Sequence, residues 1–216
     1  MARVRVHCFS TSLDGRAAGP RQSVDAPMGE GGELLHGWVF ETAYGRAMIG
    51  QDGGTTGVDD AWLRRGDVGV GATVMGRNMF GPVRGPWPDG DEWRGWWGEE
   101  PPYHHEVFVL THHAREPLEM TGTTFHFVTD GLDASLERAI EAADGADVRI
   151  GGGVSVVREA LERRLVDEIH VALLPASLAD GERLVDGTGT WPRGYELVES
   201  AAGERAQHLR FTRAPQ

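Results

Sequence analysis

Three consecutive glycines, Gly151-Gly152-Gly153, follow the run Val148-Arg149-Ile150 and lead straight into Val154-Ser155-Val156-Val157-Arg158-Glu159-Ala160-Leu161. The first run reads as a buried strand and the last as an amphipathic helix. Glycine has no side chain, so a ligand can lie against its backbone. The helix start adds N–H groups without partners and the positive end of the helix dipole, both suited to a phosphate. The spacing points to a nucleotide or dinucleotide held at a strand–helix turn. The alternative is a tight turn with close helix–strand packing.

Other chemically capable residues also follow strand-like segments. Ser10-Thr11, Gly76-Arg77-Asn78 and Thr111-His112 each come directly after one. The Arg77 guanidinium can fork onto phosphate oxygens, although an arginine opening a helix is often only solvated. Glu33, near Trp38, suits a helix start. The pairs His104-His105 and His112-His113 lack metal-site spacing, because adjacent side chains point different ways, and no metal is expected. Trp87, Trp93, Trp96 and Trp97 read as anchors of a loop, with ring stacking as the alternative. The acids between Asp89 and Glu100 read as a solvated face.

Strands and helices must position these groups. Arg3–Ser10 and Thr124–Thr129 alternate like strands, Val107–Thr111 reads as an apolar strand, and Gly69–Met75, Asp147–Ile150 and Ile169–Leu174 also read as strands. Glu33–Phe40 has helical spacing. Asp59 or Asp60 is placed to cap a helix through Arg65, and Asp133 to cap one over Ala134–Ala143. Ser155–Arg164 completes the helices. Ala17–Gly32 and Gly50–Gly57 read as loops, and residues 81–105 as a long ordered loop or insertion. Tyr195–Ala201 and Ala206–Thr212 form a closing hairpin around Ala202-Gly203-Glu204. The alternation predicts an α/β fold, one domain over residues 1–216. Its central sheet is mostly parallel, with helices on both faces and a C-terminal antiparallel hairpin. Ligands of such sheets bind beyond the carboxyl ends of the strands, so the candidate residues should meet on one rim.

Composition narrows the function. A formal net charge of −12 on 216 residues argues against a nucleic-acid partner or an acidic membrane surface. No apolar run approaches the roughly 20 residues of a membrane span. Cys8 is the only cysteine, which rules out an internal disulfide and suits a cytoplasmic protein. The chain has no lysine, which excludes a Schiff-base lysine and a Walker-type phosphate loop. A dinucleotide fingerprint of the Rossmann kind fits poorly: Gly151-x-Gly153-x-x-Val156 lacks its last glycine and follows the fifth predicted strand, not the first.

The order of four short motifs resembles a known family. Ser12-Leu13-Asp14-Gly15 is followed by Val74-Met75-Gly76-Arg77-Asn78-Met79-Phe80, then Val109-Leu110-Thr111-His112, then Ile150-Gly151-Gly152-Gly153. Together they resemble the dihydrofolate-reductase-like superfamily, in the branch of the reductase domain of the riboflavin-biosynthesis deaminase–reductase. Asp25 to Trp38 resembles stand-alone members of that branch. The resemblance implies a homodimeric NADPH-dependent reductase. Gly76, Asn78, Gly151, Gly152, Gly153, Val154 and Ser155 would hold the cofactor, the glycines taking the pyrophosphate, with a cis peptide at Gly151–Gly152. Arg77, Thr111 and His112 would contact the adenosine 2′-phosphate. Leu13 to Ala18 would form a mobile loop over the nicotinamide. Glu33 would be the catalytic acid supporting protonation of the substrate, with Asp25 and His36 as alternatives, and Trp38 would touch substrate. Glu33 does not stand at the superfamily's spacing from Trp38, which favours a pyrimidine, pterin or other carbonyl or imine substrate over dihydrofolate. A nucleotide-binding module without chemistry, and dihydrofolate reductase itself, are the other readings. A deaminase half is excluded, since its zinc site needs two cysteines in a Pro-Cys-x-x-Cys motif and the chain has one.

Overall fold

The computed structural model describes residues 2–82, 84–88, 93–184 and 192–215. The chain opens with strand β1 (Val4–Ser12), a short β2 (Arg16–Ala18) and a 3-10 turn over Gly32–Leu35. Helices α1 (Gly37–Glu41), α2 (Ala43–Met48) and α3 (Val58–Asp67) follow. Then come β3 (Val70–Gly76), α4 (Arg77–Phe80), β4 (Glu106–Leu110), β5 (Leu118–Met120) and β6 (Thr123–Val128). Helix α5 (Gly131–Ala142), β7 (Asp147–Gly152), α6 (Val154–Glu162) and β8 (Glu168–Leu174) complete the alternating part. A two-residue β9 (Glu182–Arg183) and the hairpin β10 (Tyr195–Ala202) and β11 (Gln207–Arg213) close the chain.

Nine strands form one sheet in the order β10-β11-β8-β1-β7-β3-β4-β6-β5. The six from β8 to β6 in that order run parallel. Toward the edges β5 runs antiparallel to β6, β11 antiparallel to β8 and β10 antiparallel to β11. Side chains alternate faces along a strand, and the core divides accordingly. Val74 and Phe108 join a cluster packed by Leu132 and Leu136 of α5 and Val157 and Leu161 of α6. Their chain neighbours Met75, Val107 and Val109 face Phe80, Tyr103 and Phe125 on the other side. Further along that second face Ala172 and Leu174 pack on Trp38 and Leu63. Helices therefore cover both faces, as the buried parallel strands require. Among the described residues no helix is long and apolar enough to cross a membrane.

Several local expectations are corrected. Asp59 and Asp60 do not cap α3: Gly57 is its N-cap, and the Glu204 carboxylate accepts from the Val58 and Asp59 amides at 3.0 and 2.9 Å. A distant residue supplies the cap, leaving both aspartates buried. Asp130, not Asp133, is the N-cap of α5, and Asp133 instead accepts from Arg163 at 2.7 Å. Residues 17–32 are not wholly loop, because β2 pairs with β9 and the 3-10 turn follows. The cis peptide lies at Gly152–Gly153, not Gly151–Gly152. The ladder to β3 runs on through the Met75–Gly152 pair, so the turn comes one residue later. The loop after α4 is anchored by tryptophans as expected: Trp93 donates to the Phe80 carbonyl at 2.9 Å and Trp87 to that of His113 at 2.9 Å. Of the acids read as a solvated face, Asp89, Asp91 and Glu92 lie outside the described residues, while Glu99 and Glu100 are exposed.

The segment Leu13–Ala18 is tied to the chain after β8. The Leu13 amide donates to the Ala176 carbonyl at 2.8 Å, and Asp14 accepts from the Leu178 amide at 3.0 Å. Partial burial pulls the Asp14 pKa upward, but bonds from Ser12, Leu178 and Ser177 outweigh it and hold it at about 2. A depressed folded-state pKa stabilises the protein above the ordinary carboxyl value, and that contribution disappears as pH falls toward the folded value. Asp14→Asn is therefore expected to shrink the loss of stability between pH 4 and pH 2, read from denaturant midpoints. An unchanged acid limb would count against this tie.

Candidate functional site

The carboxyl ends of β1, β3, β4 and β7 open onto one cleft of about 960 Å³. Parallel strands place their loops at the same edge, which is why segments far apart in the chain meet here. Ala18, Gly76, Arg77, Asn78, Thr111 and His112 line it, as do Gly151 through Ser155. Leu13 is 66% exposed and is not among the lining residues.

The glycine run forms one wall. Gly152 has φ +138°, and a Cβ there would sit 3.2 Å from the Met79 sulfur. A Cβ on Gly153 would meet nothing within 4 Å, so this backbone is bare toward the cleft. Gly76 permits close approach from the other side: its Cβ would lie 3.2 Å from the Gly153 nitrogen and 3.0 Å from Val156. The first bond inside α6 runs from the Val157 amide to the Gly153 carbonyl at 3.1 Å. The preceding amides have no carbonyl a turn earlier, and the positive dipole end faces the same space. The residues present thus fit a pyrophosphate.

A cationic group stands beside this wall. Arg77 begins α4 directly after β3, and its Nη1 donates to Thr111 Oγ1 at 3.2 Å. Its guanidinium carbon lies 3.4 Å from the centroid of the Trp87 ring. Thr111 Oγ1 also accepts from the His113 amide at 3.1 Å, and Trp87 donates to the His113 carbonyl. Arg77 is therefore held between a strand-end hydroxyl and an indole face that one short segment positions. Such a face attracts a guanidinium. His112 is exposed at the cleft. The role of Trp87 had no signal in the sequence beyond its membership of a tryptophan-rich loop.

The opposite wall comes from Cys8, Phe9 and Ser10 of β1, with Met28, His36, Phe40 and Ile49 nearby. His36 donates from Nδ1 to the Gly32 carbonyl at 3.1 Å, and burial lowers its pKa. The neutral ring then keeps Nε2 as an acceptor. Glu33 and Asp25 are exposed and do not line the cleft. Trp38 is 2% exposed and stands behind the wall, donating from Nε1 to Ser10 Oγ at 3.0 Å. The structure thus gathers the cofactor-side residues and His36 but not the two candidate carboxylates. The lining acids, Glu159 and Glu182, lie on α6 and β9.

His7, Cys8 and His170 bring three atoms of metal-ligand type within 4.8 Å of one another. His170 Nδ1, however, already accepts the Cys8 amide at 3.1 Å, so it has no lone pair to offer an ion.

A family model described as the RibD C-terminal domain matches residues 6–205. No curated protein matches the sequence significantly. Among solved structures, a protein assigned to riboflavin biosynthesis from Shewanella sp. PV-4 aligns at TM-score 0.59 and 20% identity, covering 100% of both chains. A diaminohydroxyphosphoribosylaminopyrimidine deaminase/5-amino-6-(5-phosphoribosylamino)uracil reductase from Thermotoga maritima aligns at TM-score 0.58 and 14% identity. That alignment covers 99% of this chain and 57% of the longer one. At these identities the likeness establishes the fold: a mostly parallel α/β sheet with a C-terminal antiparallel hairpin.

Proposed function

The chain belongs to the RibD C-terminal domain family, and on that footing we propose an NADPH-dependent reductase. It would deliver a hydride to a small heterocyclic substrate of pyrimidine or pterin type, or to another carbonyl or imine. The carrying observation is that one cleft holds both a bare glycine cradle at the α6 start and Arg77, braced by Thr111 and Trp87. The first suits a pyrophosphate and the second an additional phosphate, which is the feature that separates NADPH from NADH. Bound there, the cofactor supplies the hydride.

The protein's own groups bind and orient. The Gly151–Gly153 backbone and the first α6 amides hold the diphosphate, and Arg77 with Thr111 holds the 2′-phosphate. The Phe9–Ser10 wall, with Met28, Phe40 and Ile49, gives a largely apolar site for a flat ring and excludes water around the reacting atoms. Neutral His36 accepts a hydrogen bond at Nε2 from a substrate N–H or O–H. The lining carboxylates, Glu159 and Glu182, lie on α6 and β9, and in this reading the proton that completes the reduction comes from solvent while the protein contributes proximity and desolvation.

NADPH consumption against a panel of pterins, pyrimidines, quinones and simple carbonyls tests this reading. Turnover with a heterocyclic, carbonyl or imine substrate is expected. Tight NADPH binding with no oxidation across the panel would instead support a non-catalytic binding module. Efficient turnover of dihydrofolate, with thermal protection by antifolates, would make it a dihydrofolate reductase.

A further inference from the structure

Behind the β1 wall lies a polar chain that the cleft chemistry does not use. His170 and His208 are fully buried and Asp59 is 2% exposed. The Cys8 amide meets His170 Nδ1 at 3.1 Å, His170 Nε2 meets His208 Nδ1 at 2.9 Å, and His208 Nε2 meets Asp59 Oδ1 at 2.7 Å. The four groups lie on β1, β8, β11 and α3, three of them on adjacent strands.

The direction of every bond is determined. A backbone amide only donates, so His170 Nδ1 carries no proton. Burial, with the neighbouring His7 and His208 rings, depresses the His170 pKa and keeps that ring neutral. Its proton is then on Nε2 and donates to His208 Nδ1, which leaves the His208 proton on Nε2, donating to Asp59. Trp62 stacks on the His208 ring at 5.2 Å and 6° and lies 4.6 Å from His170, fixing both planes. Asp59 is itself held, because its Oδ2 accepts the Arg205 amide at 2.8 Å.

The start of the chain is an irregular point of the sheet. Register between β1 and β8 shifts between Val6 and Phe9, and Cys8 takes a left-handed φ of +54°. A bulge leaves a backbone group out of the ladder and re-aims the side chains beside it. Here His170 takes the displaced Cys8 amide, and Phe9 and Ser10, the next residues, line the cleft.

We propose that Asp59, His208 and His170 are positioning residues for the substrate wall. The carboxylate fixes the tautomer of both histidines, His170 then holds the Cys8 amide, and that bond holds the bulge which presents Phe9 and Ser10. The role stands whichever ligand enters the cleft, so it does not depend on the reductase reading.

Cys8 is the only cysteine, so thiol modification of the full chain by DTNB reports on this wall alone. His170→Asn keeps an acceptor oxygen near the Nδ1 position and loses the bond toward His208. His170→Gln carries its amide at the Nε2 position and leaves the Cys8 amide without an acceptor. The two remove similar ring packing, so a merely structural histidine predicts equal effects. Instead H170Q is expected to react roughly tenfold faster than the native protein, and H170N within about threefold of it. Equal acceleration in both, or none in H170Q, overturns the proposal. Nitrogen NMR of the native protein provides a check without any variant: His170 Nδ1 is expected unprotonated at neutral pH, and a protonated Nδ1 overturns it as well.

Discussion

Arg77→Ala is expected to weaken NADPH binding by roughly a hundredfold and to leave NADH within about twofold. The magnitude follows from the loss of two charge-assisted bonds to a phosphate, each worth about 1.5–3 kcal/mol and partly replaced by water. The selectivity follows from position: Arg77 stands beside Thr111, on the far side of Gly76 from the glycine cradle, and NADH has no phosphate to place there. Fluorescence titration with both cofactors gives the comparison. Equal losses would remove the 2′-phosphate assignment and leave a generic nucleotide cleft. Trp87→Leu refines the result. The guanidinium lies 3.4 Å above that ring, and removing the platform should give a smaller effect of the same selectivity, about threefold to tenfold.

Asp59→Leu is expected to be the most destabilising of the substitutions considered, by about 2–5 kcal/mol. The carboxylate receives the His208 ring and the Arg205 amide in a buried place. Leucine fills the space and leaves both donors unsatisfied, each at about 1–3 kcal/mol. For a chain of this size that corresponds to a melting temperature lower by roughly 5–15 °C. Glu99→Leu is the control. Glu99 pairs with Arg94 at 3.1 Å, but its side chain is 80% exposed, and exposed pairs contribute about 0–1 kcal/mol. Similar melting temperatures for the two variants would mean that the Asp59 chain is not integral to the fold.

Much of the frame was legible because its code is local. Alternation in Val4–Ser12 and Thr123–Val128, and helical spacing in Gly131–Ala142 and Val154–Glu162, need only neighbouring residues to be read. The glycine run was legible for a related reason: a bare backbone at a strand–helix junction is a property of three consecutive positions. Arg77 and Thr111 followed from the rule that parallel strands end together, and the structure brings both to the cleft.

The carboxylates were a different problem. Glu33 and Asp25 are candidates through the family resemblance and their nearness in sequence to a short helix, and nothing in that nearness says which way the helix faces. The chain before α1 turns them to solvent and leaves His36 on the cleft side. Trp38 was chosen in the same way and stands one layer back, touching Ser10 rather than the cleft. The cap of α3 failed for a plainer reason. Its acceptor, Glu204, is 145 residues away from Asp59, and the two plausible local caps are buried instead.

By itself the sequence determined the class of the fold, the order of its strands along the chain and the place of the bare glycine run. Each depends on periodicity or on the backbone freedom of glycine within a few residues. Only the tertiary structure decided which side chains complete the site. The Trp87 platform under Arg77, the Cys8 bulge on the opposite wall and the Asp59–His208–His170 chain behind it each join segments distant in sequence. A hydrogen bond or ring contact of this kind has a direction and a distance. Both are set by the packing of α3 and β11 against the sheet, and no local pattern of residues records them.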